Sequence, residues 1–368
     1  MIRGMPSRPS RYGEWRQAAR EVWSEVIRIG PYAQNHWGAL QVAISVSVPI
    51  VVLLALDRAD LLPYAVFGSL SSVYGKRLAG RDRLRVQLGT SAILVLAVCL
   101  GVSAGAVPQQ PLFAVLAMAF VSLLGLACAE RFGWLPVPSL FLVFATGTVS
   151  SLPQSWSSLP VAFLASTIAA LFGVVVGQAV LVAQRVSQVA LIPVTTRGAR
   201  FRSVEFLEKS FIYAGAPLLA GGLALTLELG HAYWAAVSAT VPLVGASLTQ
   251  HFGRAILRVA GTLVGVLIGY VLLMFSPPLW VLAAAVAVLQ FLTEMFVERN
   301  YGIAVVCITP LALILSYISH PTAPDGLVLD RVLSTLVGIA VAVLLLVAAR
   351  VFIRRFAGDD LSERAGED

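Results

Sequence analysis

From residue 37 to residue 350 the chain is a succession of apolar runs, each long or nearly long enough to cross a bilayer, separated by short polar breaks. A bilayer crossing by a helix needs about 20 apolar residues. Backbone polar groups inside lipid must be satisfied within the segment, so the runs have to be helical. Runs bounded by charge, proline or polar clusters predict twelve spans, near 37–56, 60–75, 86–106, 111–129, 134–151, 160–184, 211–228, 232–249, 255–275, 278–297, 301–318 and 328–350. Of the 368 residues, 58% are hydrophobic and 12% charged. Soluble domains hold about 25% charged residues. A soluble fold and a large extramembrane catalytic module are both excluded. The predicted fold class is an all-α integral membrane protein of about twelve transmembrane helices.

The scarce charge is sorted. With residues 1–36 on the cytoplasmic side, every basic residue except Arg58 and Arg331 falls in an inside segment. The loop after the second span holds Lys76, Arg77, Arg81, Arg83 and Arg85, whereas the next loop reads Pro108-Gln109-Gln110-Pro111. This is the pattern of positive-inside insertion, and it predicts a multi-pass protein of a bacterial inner membrane with both termini cytoplasmic. The net charge of +7 therefore reflects orientation. No basic stretch is interleaved with stacking aromatics, so no nucleic-acid partner is expected. The lipid bilayer is the expected partner, and homo-oligomerisation is compatible with the sequence.

Pairs of matching residues recur in order at nearly constant spacing. Ser166-Thr167 returns as Ser334-Thr335, Glu130-Arg131 as Glu298-Arg299, and Gly89-Thr90 as Gly261-Thr262. Six spans per repeat bring both copies into the membrane in the same direction, the arrangement of a parallel repeat. The expected organisation is a cytoplasmic N-terminal segment with an amphipathic helix (1–36, with Trp15, Val22, Trp23, Val26 and Ile29 on one face), a first repeat (37–184), a cytoplasmic linker (185–210), a second repeat (211–350) and a cytoplasmic tail (351–368). The runs at 60–75 and 232–249 hold equivalent places and are both short and interrupted. Weak segments at matching positions in two halves point to a transport path; close packing of small residues is the alternative.

The second half carries a recognisable order of motifs. Tyr233-Trp234-Ala235-Ala236-Val237-Ser238-Ala239 is followed by Arg258-Val259-Ala260-Gly261-Thr262-Leu263-Val264-Gly265-Val266-Leu267-Ile268-Gly269, then Asn300-Tyr301-Gly302, then Asp330-Arg331-Val332-Leu333-Ser334-Thr335. This order resembles the integral membrane domain of the fusaric acid resistance and aromatic acid exporter family, over about 211–350 and only faintly before it. The resemblance implies a transporter that exports or conducts small organic anions, often aromatic carboxylates. Larger members carry substantial cytoplasmic regions after each six-span block, which here shrink to 185–210 and 351–368.

Few residues carry charge or chemistry inside the spans. Gln290, Glu294 and Glu298 form one polar stripe at four-residue spacing, and the first half has Leu126 where Glu294 would fall. An ionisable residue in a span is a functional candidate by default. Glu294 is a candidate carrier of a coupling proton, an ion pair with Arg299 being the structural alternative. Arg258 is a candidate for binding a substrate carboxylate in bidentate fashion, against a role as an inner-surface anchor. Asn300 and Tyr301 are candidate donors to an anion and Asp330-Arg331 reads as a self-paired outer gate, helix-end roles being the alternative for each; Thr309, beside Pro310 at a helix break in the eleventh span, is a further candidate. Gly261, Gly265 and Gly269 line one helix face, most simply for close helix approach.

No catalytic residue, metal site or cofactor is expected. The cysteines, Cys99, Cys128 and Cys307, lie within apolar runs, and the histidines do not pair at metal spacing. Neither Lys76 nor Lys209 sits in a phosphate-binding loop, so uphill transport has to draw on the proton gradient or the membrane potential. A major-facilitator-type transporter would read G-x-x-x-D-R-x-G-R-R after the second span, and the loop at 75–85 departs from that order. A non-transporting envelope scaffold is the other alternative. A lipid-linked-sugar glycosyltransferase would need a longer outside loop than the one around Asp57 and Asp60.

Overall fold

A computed structural model describes residues 20–24, 26–32, 34–189, 203–244, 248–319 and 324–364, the last stretch with side chains through residue 350. Most of the expected amphipathic segment, Trp15 included, and residues 190–202 of the linker lie outside the described residues. All regular structure among the described residues is helical. From Asn35 onward the helices are α1 (Asn35–Ala55), α2 (Leu62–Ser69), α3 (Gly80–Gly105), α4 (Gln110–Phe132), α5 (Ser139–Ser150), α6 (Ser158–Val186), α7 (Ser203–Thr226), α8 (Tyr233–Thr240), α9 (Leu248–Met274), α10 (Leu279–Phe296), α11 (Tyr301–Ser319) and α12 (Pro324–Arg364). Eight of them are long and apolar enough to cross a membrane: α1, α3, α4, α6, α9, α10, α11 and α12.

The runs expected to be the second and eighth spans are not single transmembrane helices. The first becomes a 3-10 turn at Ala59–Leu61, the eight residues of α2, and a second 3-10 turn at Leu70–Val73. The other becomes α8, also eight residues, and a 3-10 turn at Pro242–Val244. Local chemistry accounts for both breaks. Ser69 Oγ donates to the Ala65 carbonyl and Ser72 Oγ to the Ser69 carbonyl, hydroxyl bonds that compete with helix continuation. Gly75 then reverses the chain at φ 70°. In α8, Thr240 Oγ1 donates to the Val237 carbonyl, and Pro242 lacks the N–H that another turn would need. Every residue of α2 and α8 is buried. The fifth run is also shorter than its span: Pro136 and Pro138 delay the start of α5 to Ser139. At the other end, α12 runs past the expected span end at 350 to Arg364.

The short helices sit against long ones at points stripped of side chains. A Cβ on Gly68 of α2 would lie 2.1 Å from the Ser166 carbonyl of α6. On the other side, a Cβ on Gly338 of α12 would lie 2.3 Å from the Ala235 carbonyl of α8. The glycine face of α9 packs on α11: added Cβ atoms on Gly261, Gly265 and Gly269 would meet the Gly302 carbonyl at 2.7 Å, Thr309 at 2.7 Å and Leu313 at 2.8 Å. Such contacts let backbones approach closely.

The neighbour pattern recurs along the chain. In the first half α3 packs on α5 and α6, α2 on α6, and α4 on α5. In the second half α9 packs on α11 and α12, α8 on α12, and α10 on α11. Between halves α4 meets α7 and α10 meets α1, while α5 meets α8 and α11 meets α2. The outer surface of the long helices stays apolar and exposed, as with Phe163, Leu164, Ile168, Leu171 and Val175 on α6 and Leu263, Leu267 and Val271 on α9. Contiguous apolar surface on this scale is costly in water and is the face a bilayer covers.

Candidate functional site

Where the short helices of one half meet those of the other, the packing leaves a cavity of ≈ 360 Å³. Its walls come from α2, α5, α8, α10 and α11, with Arg258 from α9 and Arg331 from α12. Most of the lining is apolar. Phe67 and Phe144 pack edge-to-face with ring centroids 5.1 Å apart, and Phe141 lies beside them in the wall. This combination of an apolar wall with a few polar groups is the usual composition of a small-molecule site.

Two of the polar groups are buried cations. Arg258 is 3% exposed and donates from Nη2 to Ser238 Oγ at 3.3 Å, while its Nε has no hydrogen-bond partner among the described residues. Arg331 is 1% exposed and lies over the Trp234 ring at 4.8 Å, with both Nε and Nη1 unpartnered among the described residues. A desolvated cation–π contact contributes about 2 kcal/mol. Removing a full charge from water costs several kcal/mol even after relaxation. The ring therefore positions Arg331 without offsetting its burial. A guanidinium does not deprotonate in proteins, so the charge remains, and an anion is its natural complement.

The nearby carboxylates are engaged elsewhere. Asp330 does not pair with Arg331 as expected; its carboxylate meets His231 Nδ1 at 2.8 Å and accepts from the Gly230 N–H at 3.3 Å. Consecutive residues on a helix point about 100° apart, so Arg331 turns inward while Asp330 stays at the edge. His231 stacks on Trp234 with ring centroids 4.3 Å apart, which joins the edge pair to the buried arginine. At the other end Glu294, 6% exposed, forms an ion pair with Lys76 from the loop after α2. Arg77 of the same loop pairs with Glu298. These bonds tie the first half to α10 and to the turn that follows it.

Four of the candidates drawn from the sequence line the cavity: Arg258, Gln290, Glu294 and Tyr301. Gln290 and Tyr301 are buried, and the Arg254 guanidinium lies over the Tyr301 ring at 5.1 Å. Three lie elsewhere. Arg299 is not the partner of Glu294: its Nε donates to the Gly30 carbonyl at 3.2 Å, and its guanidinium rests on Phe296 and Tyr32. Asn300 caps α11 by accepting from the Ile303 N–H at 3.1 Å and donates to the carbonyls of Val26 and Arg28. These two residues fasten the N-terminal stretch to the α10–α11 turn. Thr309 is fully buried against Gly265.

Sequence reasoning passed over Arg331 as a cavity residue, and with it Trp234, Lys76 and the aromatic wall. One signal did mark Arg331: it was one of two basic residues on the wrong side of the charge alternation. The other, Arg58, forms an exposed pair with Asp60 at 2.8 Å, which holds the Asp60 carboxyl below its usual range. A basic residue that breaks the alternation and has no such surface partner was the one to follow.

Comparison with known proteins addresses the half that carries this charge. Residues 219–345 match the family described as fusaric acid resistance protein-like. The resemblance drawn from the motifs is thereby shown over those residues, which include Arg258, Glu294 and Arg331. The uncharacterized membrane protein YvaC of Bacillus subtilis (strain 168) is 33% identical over 141 residues. That stretch covers 38% of this chain and spans only 22% of the length of YvaC. No solved structure matches the chain. Together with the eight apolar helices, these matches make the chain a multi-pass membrane protein in contact with the lipid bilayer.

Proposed function

We propose that the protein is a transporter of small organic anions of the aromatic carboxylate type, and that the cavity between the halves is its binding site. The carrying observation is the pair of buried arginines, Arg258 and Arg331, which line the cavity together with an aromatic wall and carry N–H groups that have no acceptor among the described residues. A carboxylate would complete their hydrogen bonds, and the phenylalanine rings would cover an aromatic body. No catalytic constellation is part of this reading.

The twelve runs act here as two parallel six-helix repeats, with α2 and α8 as the broken elements at the centre. The recurrence of the packing pairs supports this reading: α1–α2, α1–α6, α2–α6, α3–α5, α3–α6 and α4–α5 each have a counterpart six helices later. The alternation of basic loops favours a bacterial inner membrane with both termini cytoplasmic. Export suits that orientation, since an inside-negative potential drives anions outward by about 2.3 kcal/mol per charge per 100 mV.

Glu294 is the proposed proton carrier. Its counter-ion Lys76 arrives from the other half, so protonating Glu294 removes an attraction that holds the two halves together at that end of the cavity. Purified protein in liposomes tests the proposal directly. Benzoate flux should be measurable, should rise with an imposed pH gradient, and should fall about tenfold or more in Arg258→Gln. Absence of flux for any organic anion would favour the scaffold alternative.

A further inference from the structure

We infer that the preferred substrate is a dianion: a rigid, largely apolar molecule with two acidic groups about one helical turn apart. The inference rests on the reading of the cavity as an organic-anion site and adds the number and spacing of charges.

Two observations fix the spacing. Arg258 is hydrogen-bonded to Ser238, and Arg331 is stacked on Trp234. Trp234 and Ser238 are four residues apart on α8, hence on one face and separated by about 6 Å along the axis. The two guanidiniums reach α8 from different helices, α9 and α12, and are held at successive turns. Each offers N–H groups without a partner among the described residues: Nε of Arg258, and Nε and Nη1 of Arg331.

The charge count fixes the valence. Glu294, the carboxylate in the lining, is paired with Lys76, and Asp330 is paired with His231 at the edge. Tyr301, Gln290 and Thr293 bring dipoles and no formal charge. A monoanion bound to one guanidinium leaves the other buried and uncompensated. A dianion neutralises both, and burial makes that difference large because charge interactions strengthen as water is excluded. Between the two acids the body has to be apolar, since Phe67, Phe141, Phe144 and Leu311 form the facing wall. The cavity volume of ≈ 360 Å³ is within the range of drug-sized sites and leaves room for a second acidic group on an aromatic ring.

The test compares benzoate with isophthalate and terephthalate, on the full chain, by direct binding in detergent and by flux in liposomes. One of the two dicarboxylates should bind at least about tenfold more tightly than benzoate, a difference of about 1.4 kcal/mol. In Arg331→Gln dicarboxylate binding should fall by a larger factor than benzoate binding, so that the preference collapses toward unity, and Arg331→Lys should restore part of it. Benzoate binding as tightly as both dicarboxylates in the wild type overturns the dianion and leaves the organic-anion reading standing. Failure of all three probes to bind brings down the underlying reading instead. If the glutamine variant does not fold, as judged by its melting in detergent, the wild-type ratio alone decides.

Discussion

Both halves bury arginine side chains in the protein interior, and they treat them differently. In the first half Arg83 is fully buried, yet Nη1 donates to Gln184 Oε1 at 2.9 Å and Nη2 donates to Gln41 Oε1. Gln41 in turn donates to the Ser72 carbonyl at 2.6 Å, so this cation is part of the scaffold that holds the broken α2 in place. Its Nε has no partner among the described residues. In the second half Arg258 and Arg331 have a serine and an indole face for company, and both open into the cavity. Amide partners turn a buried guanidinium into a structural element, whereas unsatisfied ones leave it available to a ligand. The first half supplies apolar wall and the Lys76 counter-ion; the second supplies the anion-seeking charge.

The largest effect should come from breaking the packing that both halves share. Gly68→Val places a Cβ 2.1 Å from the Ser166 backbone carbonyl, and Gly338→Val does the same 2.3 Å from that of Ala235. Each variant should lose more than about 3 kcal/mol and reach the membrane poorly, measured by yield and by melting in detergent. A normal melt for either would mean that the close approach of short and long helices is not required.

The arginines separate next. Arg83→Gln should destabilise the protein by about 3 kcal/mol, as breaking a buried polar network does, and leave the relative affinities of different anions unchanged. Arg331→Gln should change those affinities and cost little stability, because removing an incompletely paired charge relieves a desolvation penalty. Equal shifts in anion preference for the two variants would erase the contrast between the halves.

A smaller and more specific effect is expected at the ion pair between them. Glu294→Gln should abolish the dependence of flux on the pH gradient, and Lys76→Met should alter the rate while keeping some dependence. Flux that persists in Glu294→Gln with unchanged pH dependence would sink the coupling role. The smallest effect should belong to the N-terminal fastening. Asn300→Ala removes two hydrogen bonds to carbonyls and a helix cap, and should cost about 1–2 kcal/mol while leaving anion selectivity as it was. A changed selectivity would return Asn300 to the site from which its geometry removes it.

Much of this was legible in the sequence. The apolar runs, the all-helical membrane fold, the interruptions at 60–75 and 232–249 and the family resemblance of the second half all follow from local pattern. So does the interest of Arg258, Gln290, Glu294 and Tyr301, because charge and polarity are conspicuous where almost everything is apolar. Arg299, Asn300 and Thr309 were equally conspicuous and turned elsewhere. Local pattern reports that a polar group is present in a span, and helical periodicity reports which neighbours share its face. Neither tells what that face meets.

Hydropathy alone determined that this chain lives in a bilayer, since no other solvent tolerates its composition. Tertiary structure decided the chemistry. Trp234 and Arg331 are far apart in sequence and meet because α8 packs on α12; Lys76 and Glu294 meet because the halves close on each other. The physical reason is the same in each case. A buried charge is defined by what surrounds it, and in a helical bundle the surroundings come from helices distant along the chain.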